Sequence, residues 1–222
     1  MKITAITKNY GEKTVLNIDE LTLEAGIIYA VVGANGSGKS TLLRLLAGVE
    51  TLDKPGDIDL CGAELCYMPQ KSYGFKMSLW KSLLLGVEKT AENEARAEYL
   101  LSELELADSR FTRADRLSGG ELQKLALARV LMRKCGLLLL DEPTASMDMR
   151  STLAAEKLIK DWRDETGCAV LVVTHSIRQA ERLGEQMIVM DGGRITETGI
   201  TAGLIESPKN ERTGQIFDFY GA

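Results

Sequence analysis

The sequence lacks any run of the roughly 18 to 20 apolar residues that a membrane-spanning helix requires; Leu137–Leu140, for example, runs straight into Asp141 and Glu142. The chain is therefore not expected to cross a bilayer. Its first residues, MKITAITKNYGEK, have no long apolar centre of the kind a secretory leader carries, so residence in the cytoplasm is expected. Cysteine is sparse: Cys61, Cys66, Cys135 and Cys168 show no CxxC pairing, which argues for free, largely buried thiols in a reducing compartment. No further Cys or His motif stands ready to complete a metal site with Cys61 and Cys66. Basic charge is not in excess either. With 27 Lys and Arg against 32 Asp and Glu the net charge is −5, and a broad nucleic-acid-binding surface is not indicated, so no nucleic acid is expected among the partners. Internal repeats and low-complexity linkers are absent, which excludes solenoids and arrays.

What is there is the balance of a globular protein: 45% hydrophobic and 27% charged residues in 222, enough for one large domain with a small inserted lobe. The text from Met1 reads as strands (MKITAIT, VLNIDELTLE, IIYAVV), a glycine-rich loop, and a helix TLLRLLAG ending at Gly48. Between Lys71 and Arg116 the period becomes helical, in MSLWKSLLLGV and then in AENEARAEYLLSELEL, apolar on one face and charged on the other. Beyond it, ELQKLALARVLM leads to an alternation of strand and helix patterns: LLLLDEP, STLAAEKLIKDWRDE, AVLVVTH, SIRQAERL, QMIVMD. The tail from about Ile195 reads as a short strand and one or two helices. Such alternation predicts an α/β fold with a mostly parallel sheet covered by helices. The expected organisation is one domain over 1–222, with 1–70 and 117–222 forming a core with a small β lobe and 71–116 an inserted helical lobe. The stretch Glu50–Cys66 is short, so the antiparallel β lobe is expected to be trimmed.

Gly33–Ser40, GANGSGKS, matches G-x-x-x-x-G-K-[ST] and lies between an apolar strand and a helix, where phosphate binding requires it. Gly33, Gly36 and Gly38 let the backbone take positive φ and approach a ligand, so that successive N–H groups, those of Asn35, Ser37 and Thr41 among them, surround phosphate at a positive helix end. Lys39 is placed to reach the β and γ phosphates, and Ser40 to offer a hydroxyl to Mg²⁺. The second anchor is Asp141–Glu142 at the end of an apolar strand. In a parallel sheet, ligands bind beyond the carboxyl ends of strands, next to the phosphate loop. Asp141 can hold Mg²⁺ there, and Glu142 can polarise a water in line with the γ-phosphate.

Between these anchors stands LSGGE, Leu117–Glu121, continuing as LQKLALARVL. The ordered series GANGSGKS, Gln70 in YMPQ, LSGGE, LLLLDEP, Asp148 in TASMD and His175 in VVTHS resembles the motifs of ABC-type (ATP-binding cassette) nucleotide-binding domains, from Tyr10 to about Asp191. The resemblance implies a P-loop ATPase core and a head-to-tail dimer with a second copy. Each ATP is then held by the phosphate loop of one copy and by Ser118, Gly119 and Gly120 of the other. It implies further that Tyr10 stacks on adenine, and that Gln70 contacts Mg²⁺ or the attacking water and links the site to the helical lobe. His175, the chain's single histidine, would sense the γ-phosphate beside Glu142, and Asp148 would communicate across the dimer. Two departures stand out: Glu121 where glutamine is common, and TASMD in place of SALD.

The parts predict an ATPase using ATP and Mg²⁺. Three uses of the hydrolysis remain open. One is an importer of a small solute, of the amino-acid or oxyanion type, working with a separate transmembrane permease and an extracytoplasmic solute-binding protein at the cytoplasmic side of the membrane. Its support is the tail GRITETG with PKNERT and the apolar stretch Met77–Val87, which is either a seat for a partner's helix or lobe core. The others are a cytoplasmic ATPase of iron–sulfur cluster assembly and the motor of a two-component exporter.

Overall fold

Three strands carry apolar residues at every position but one, and they form the middle of the molecule: Ile28–Gly33, Leu137–Asp141 and Ala169–Val173, all fully buried. A strand that is apolar on both faces needs cover on both, which parallel sheets with crossover helices provide. In the computed structural model, which describes residues 1–53 and 56–221, they do lie in such a sheet. Lys54, Pro55 and Ala222 fall outside the described residues, and with the first two goes part of the short Glu50–Cys66 stretch.

In chain order the strands are β1 (Lys2–Tyr10), β2 (Lys13–Thr22), β3 (Ile28–Gly33), β4 (Asp57–Asp59), β5 (Leu65–Met68), β6 (Leu137–Asp141), β7 (Ala169–Val173), β8 (Gln186–Asp191) and β9 (Arg194–Ile200). The helices are α1 (Lys39–Leu46), α2 (Leu79–Leu83), α3 (Ala91–Glu103), α4 (Gly119–Leu131), α5 (Met149–Thr166), α6 (Ile177–Leu183), α7 (Thr201–Glu206) and α8 (Glu211–Tyr220). The large sheet has the order β5-β6-β7-β3-β8-β9, parallel except for the edge strand β9; a small antiparallel sheet has the order β2-β1-β4. The fold is thus the expected α/β class. Alternate residues of each strand serve opposite faces. Leu137, Leu139, Ala169, Leu171 and Val173 pack with α1 and the small sheet, while Leu138, Leu140, Val170 and Val172 pack with α4, α5 and the helices near 79–106.

The helical text MSLWKSLLLGV yields only a five-residue helix, α2, whose start is fixed by backbone pairing: the Leu79 and Trp80 N–H groups donate to Thr112 and Arg110 carbonyls at 2.8 and 3.0 Å. Within Met77–Val87, Leu79 and Leu83 are buried core and Leu85 is exposed. Strands β4 and β5, three and four residues long, were not anticipated. Cys61 is exposed; Cys66, Cys135 and Cys168 are buried.

Behind the carboxyl ends of β6 and β7 lies a buried polar network. The Gln179 amide donates to Thr144 Oγ1 at 2.7 Å and to Glu156 Oε1 at 3.1 Å, and accepts from Thr174 Oγ1 at 2.7 Å. Arg182 grips the buried Glu156 carboxylate through two bonds of 2.7 and 2.6 Å. Removing one partner of a buried pair strands the other's charge. Arg182→Leu is therefore expected to destabilise the protein by about 2 kcal/mol, discounted for the partial exposure of the arginine, while the double change with Glu156→Gln recovers most of the loss. Urea midpoints of the three proteins check this; a double variant no more stable than Arg182→Leu would contradict it.

Candidate functional site

The parallel register sets the site. Val31 of β3 and Asp141 of β6 both pair with Val173 of β7, so three strands end at one level. Beyond that edge the chain turns into the phosphate loop after β3, Glu142 after β6, His175 after β7 and Gln70 after β5. A cavity of about 230 Å³ opens there, lined by the loop from Asn35 to Thr41 and by Gln70, Glu142 and His175.

Gly33, Gly36 and Gly38 have φ of 149°, 77° and 100°. At Gly33 close approach adds to the dihedral requirement, since a Cβ would lie 2.0 Å from the Met190 carbonyl oxygen. Gly38 is the N-cap of α1, so the loop's N–H groups meet the helix's positive end at the cavity. Lys39 is 5% exposed and its ammonium donates to Gly33 O, Ala34 O and Ser37 Oγ at 2.8, 2.9 and 3.4 Å. Burial lowers its affinity for the proton, and Glu142 and Asp141 nearby oppose that shift.

Asp141 is 1% exposed. Its Oδ1 accepts from Ser40 Oγ at 3.1 Å, and among the described residues its buried Oδ2 has no hydrogen-bond partner. Burial raises its pKa above the ordinary aspartate range, with the Ser40 bond acting the other way. A buried carboxylate oxygen left unpaired beside a hydroxyl is a hard-oxygen donor set, and it suits Mg²⁺. Glu142 sits at φ 52°, and its carboxylate contacts His175 Nε2. His175 is flanked by Tyr220 of α8, ring centroids 6.3 Å apart and planes at 20°.

The structure brings Gly33–Thr41, Gln70, Asp141, Glu142 and His175 together. It does not bring Tyr10, Ser118, Gly119, Gly120 or Asp148 into that cavity. Tyr10 ends β1, about half exposed, with its hydroxyl on Glu50 and the Lys8 ammonium 5.7 Å from its ring centre. Asp148 caps α5, accepting from Ser151 N and Oγ at 2.8 and 3.1 Å, and those bonds hold its carboxyl below the usual range. Ser118 and Gly119 are exposed at the start of α4, and a Cβ on Gly119 would meet nothing within 4 Å. Gly120 is different: a Cβ there would come 2.8 Å from the Ser146 carbonyl oxygen.

Glu121 has a local explanation. Its Oε2 accepts from Ser118 N at 3.0 Å and Ser118 Oγ at 2.7 Å, while Ser118 Oγ accepts from Glu121 N at 3.3 Å, a complete capping box. These bonds and one from Ser109 hold its carboxyl below the ordinary glutamate range. Among the groups that sequence reasoning missed are Gln123, 4% exposed and bonded to the Glu142 carbonyl, and Tyr220. Gln123 was findable: it shares an i, i+4, i+8 stripe with Leu127 and Leu131, a place where α4 should be apolar. Tyr220 carried no signal, since only tertiary packing brings α8 to His175.

Comparison with known proteins gives a consistent picture. The family model described as "ABC transporter" matches residues 16–145. The chain is 36% identical over 211 residues to the tungstate uptake system ATP-binding protein TupC of Peptoclostridium acidaminophilum, covering 89% of this chain and 98% of the relative. It is 37% identical over 203 residues to the aliphatic sulfonates import ATP-binding protein SsuB 1 of Nocardia farcinica, covering 91% and 82%. Among solved structures, it superposes with a TM-score of 0.78 on a dimeric ATP-binding cassette in a post-hydrolysis state bound to ADP and Pi, at 25% identity over 90% of this chain and 98% of that one.

Two outcomes follow from the site's electrostatics. Asp141→Asn removes a buried charge that Ser40, Lys39 and Arg44 offset only in part, so without divalent metal the variant is expected to be more stable than the parent by about 1 kcal/mol, read by thermal unfolding in chelator. A clear destabilisation would show that the Asp141 charge is compensated. Glu121→Ala is expected to cost about 1 kcal/mol at neutral pH. A carboxylate with a depressed folded pKa stabilises above its unfolded value and loses that contribution as pH falls through the folded one, so the difference should vanish in acid. A pH-independent cost would overturn the capping assignment.

Proposed function

The chain belongs to the ABC transporter family as one of its ATP-hydrolysing subunits, and from that premise we propose that it powers uptake of a small oxyanion through a separate transmembrane permease. The observation that carries the hydrolysis reading is the convergence of Lys39, Glu142 and His175 on one small cavity at a helix N-terminus, with Asp141 bonded to Ser40 in its wall. What supports uptake is likeness along most of their length to the tungstate and sulfonate proteins, both named for import of anions. An extracytoplasmic solute-binding protein completes the proposed system. Among the described residues no helix is long and apolar enough to cross a membrane, so the membrane path is assigned to the permease and this subunit to the membrane's cytoplasmic side.

In the mechanism we infer, the loop N–H groups and Lys39 bind the β and γ phosphates and neutralise their charge. Ser40 and Asp141, with Gln70 of the cavity lining, would hold Mg²⁺, which would supply positive charge to offset the charge developing on the transferred phosphate. Glu142 accepts a hydrogen bond from the attacking water and orients it in line with the γ-phosphate. His175, in contact with the Glu142 carboxylate, fixes that carboxylate's rotamer and senses the γ-phosphate. Ser118, Gly119 and Gly120 lie outside their own chain's cavity, the first two exposed at the N-terminus of a 13-residue helix, and are read as the second half of a partner copy's site. Tyr10 is assigned to adenine, and Asp148 to contact across the dimer in addition to capping its helix. Residues 71–116 are read as the lobe that Gln70 moves.

Glu142→Gln is expected to bind ATP, dimerise with it and lose at least about 100-fold in turnover; near-normal turnover sinks the base assignment. For transport, the tagged chain is expected to sediment with membranes in complex with a multi-span permease. Recovery with a separate scaffold protein and no permease would replace that reading.

A further inference from the structure

Gln123 stands on α4, the helix that opens at Ser118, and its amide is 4% exposed. Both ends of that amide are used on one loop: Nε2 donates to the Glu142 carbonyl at 2.6 Å, and Oε1 accepts from the Ser146 N–H at 2.6 Å. Glu142 has φ 52°, the left-handed region that residues with a side chain rarely occupy and that costs on the order of 1 kcal/mol or more unless the surroundings enforce it. Besides a local bond from Ala145 N–H to the Glu142 carbonyl at 3.3 Å, two long-range bonds to its main chain do the enforcing. On one side the Glu142 N–H donates to Val173 O of β7 at 3.0 Å; on the other stands Gln123. The second bond is the one that a side-chain change can remove.

We propose that Gln123 is the positioning residue for Glu142, holding it in its left-handed conformation so that the carboxylate meets His175 and the cavity. Without the Gln123 amide, Thr144 keeps its bond from Gln179, but Glu142 itself keeps only the β7 bond and a longer local bond from Ala145 N–H to its carbonyl at 3.3 Å, and relaxation of φ toward ordinary values swings the carboxylate off line. The same contact has a second consequence. α4 is one rigid helix whose N-terminal Gly120 lies against Ser146, so the loop that serves the partner's nucleotide and the carboxylate that serves the chain's own are fixed to one body. A shift of the signature loop on engaging the partner is then felt at Glu142. This proposal rests on reading Glu142 as the water-polarising carboxylate.

The test is a cycle of Gln123→Ala and Gln123→Glu in the parent and in Glu142→Gln, with steady-state and single-turnover ATP hydrolysis, binding of a fluorescent ATP analogue and melting temperature. Gln123→Ala is expected to lower kcat by about 10-fold to 100-fold with the KM for ATP changed less than about twofold. Gln123→Glu keeps the acceptor for Ser146 N–H but loses the donor to the Glu142 carbonyl, and should move kcat the same way; being nearly isosteric, it carries the test if the alanine variant fails to fold. Neither change should slow Glu142→Gln further, because the group being positioned is already gone. An equal fold loss in both backgrounds, a kcat unchanged in the parent, or a rise in KM that accounts for the loss overturns the proposal and leaves Gln123 a structural plug. If Glu142→Gln itself turns over normally, the base reading falls and this proposal with it, whereas inert Gln123 variants beside a slow Glu142→Gln count against the proposal alone.

Discussion

The parallel register of β3, β7 and β6 is the constraint on which the rest depends. It places Val31, Val173 and Asp141 at one level, so that three separate loops begin together. Cross-strand bonds hold that level beyond the strands themselves: Thr174 N–H donates to Val31 O at 3.2 Å and Glu142 N–H to Val173 O at 3.0 Å. The register survives because the strands are apolar on both faces, and a slip by one residue would exchange the side chains packed on α1 for those packed on α4 and α5. The glycine-rich loop, Asp141 and Glu142 meet because the sheet ends its strands at one edge.

Around that edge the protein keeps features that cost stability. Asp141 is buried with one oxygen unpaired, Lys39 is a buried ammonium satisfied by its own loop, and Glu142 takes a left-handed backbone. Each opposes folding, and each lines the cavity or, for Asp141, bonds to the Ser40 hydroxyl in its wall, the pattern expected where binding of a charged substrate makes use of groups that folding alone would have placed elsewhere. The surrounding buried network of Gln179, Glu156 and Arg182, and the amide of Gln123, supply the rigidity that keeps these groups in place.

Much of this was legible in the sequence. β3, β6, β7 and β8 announce themselves as short apolar runs, and α4 and α5 as amphipathic repeats, because the core imposes those patterns locally. GANGSGKS, Asp141, Glu142 and His175 were readable since strand ends in a parallel sheet share an edge. β4 and β5 were not: Asp57–Asp59 and Leu65–Met68 are too short to show a period and exist only through their partners β1 and β6. A polar Gln123 on the apolar stripe of α4 was a readable anomaly, but its partner, the carbonyl of a left-handed Glu142, is set by a long-range contact that no local propensity encodes. The departure at Glu121, where glutamine is common, completes a helix cap.

The central claim is that the ATP site is composite, with the phosphate loop of one copy and the signature loop of another acting on one nucleotide. Mixing two separately inactive chains tests it: Lys39→Ala, which disables its own cavity, and Ser118→Arg, which disables its partner's. In the mixed dimer both lesions fall on one site and the other is intact. The account predicts that ATP hydrolysis appears on mixing; a mixture no more active than the sum of its two components would contradict it.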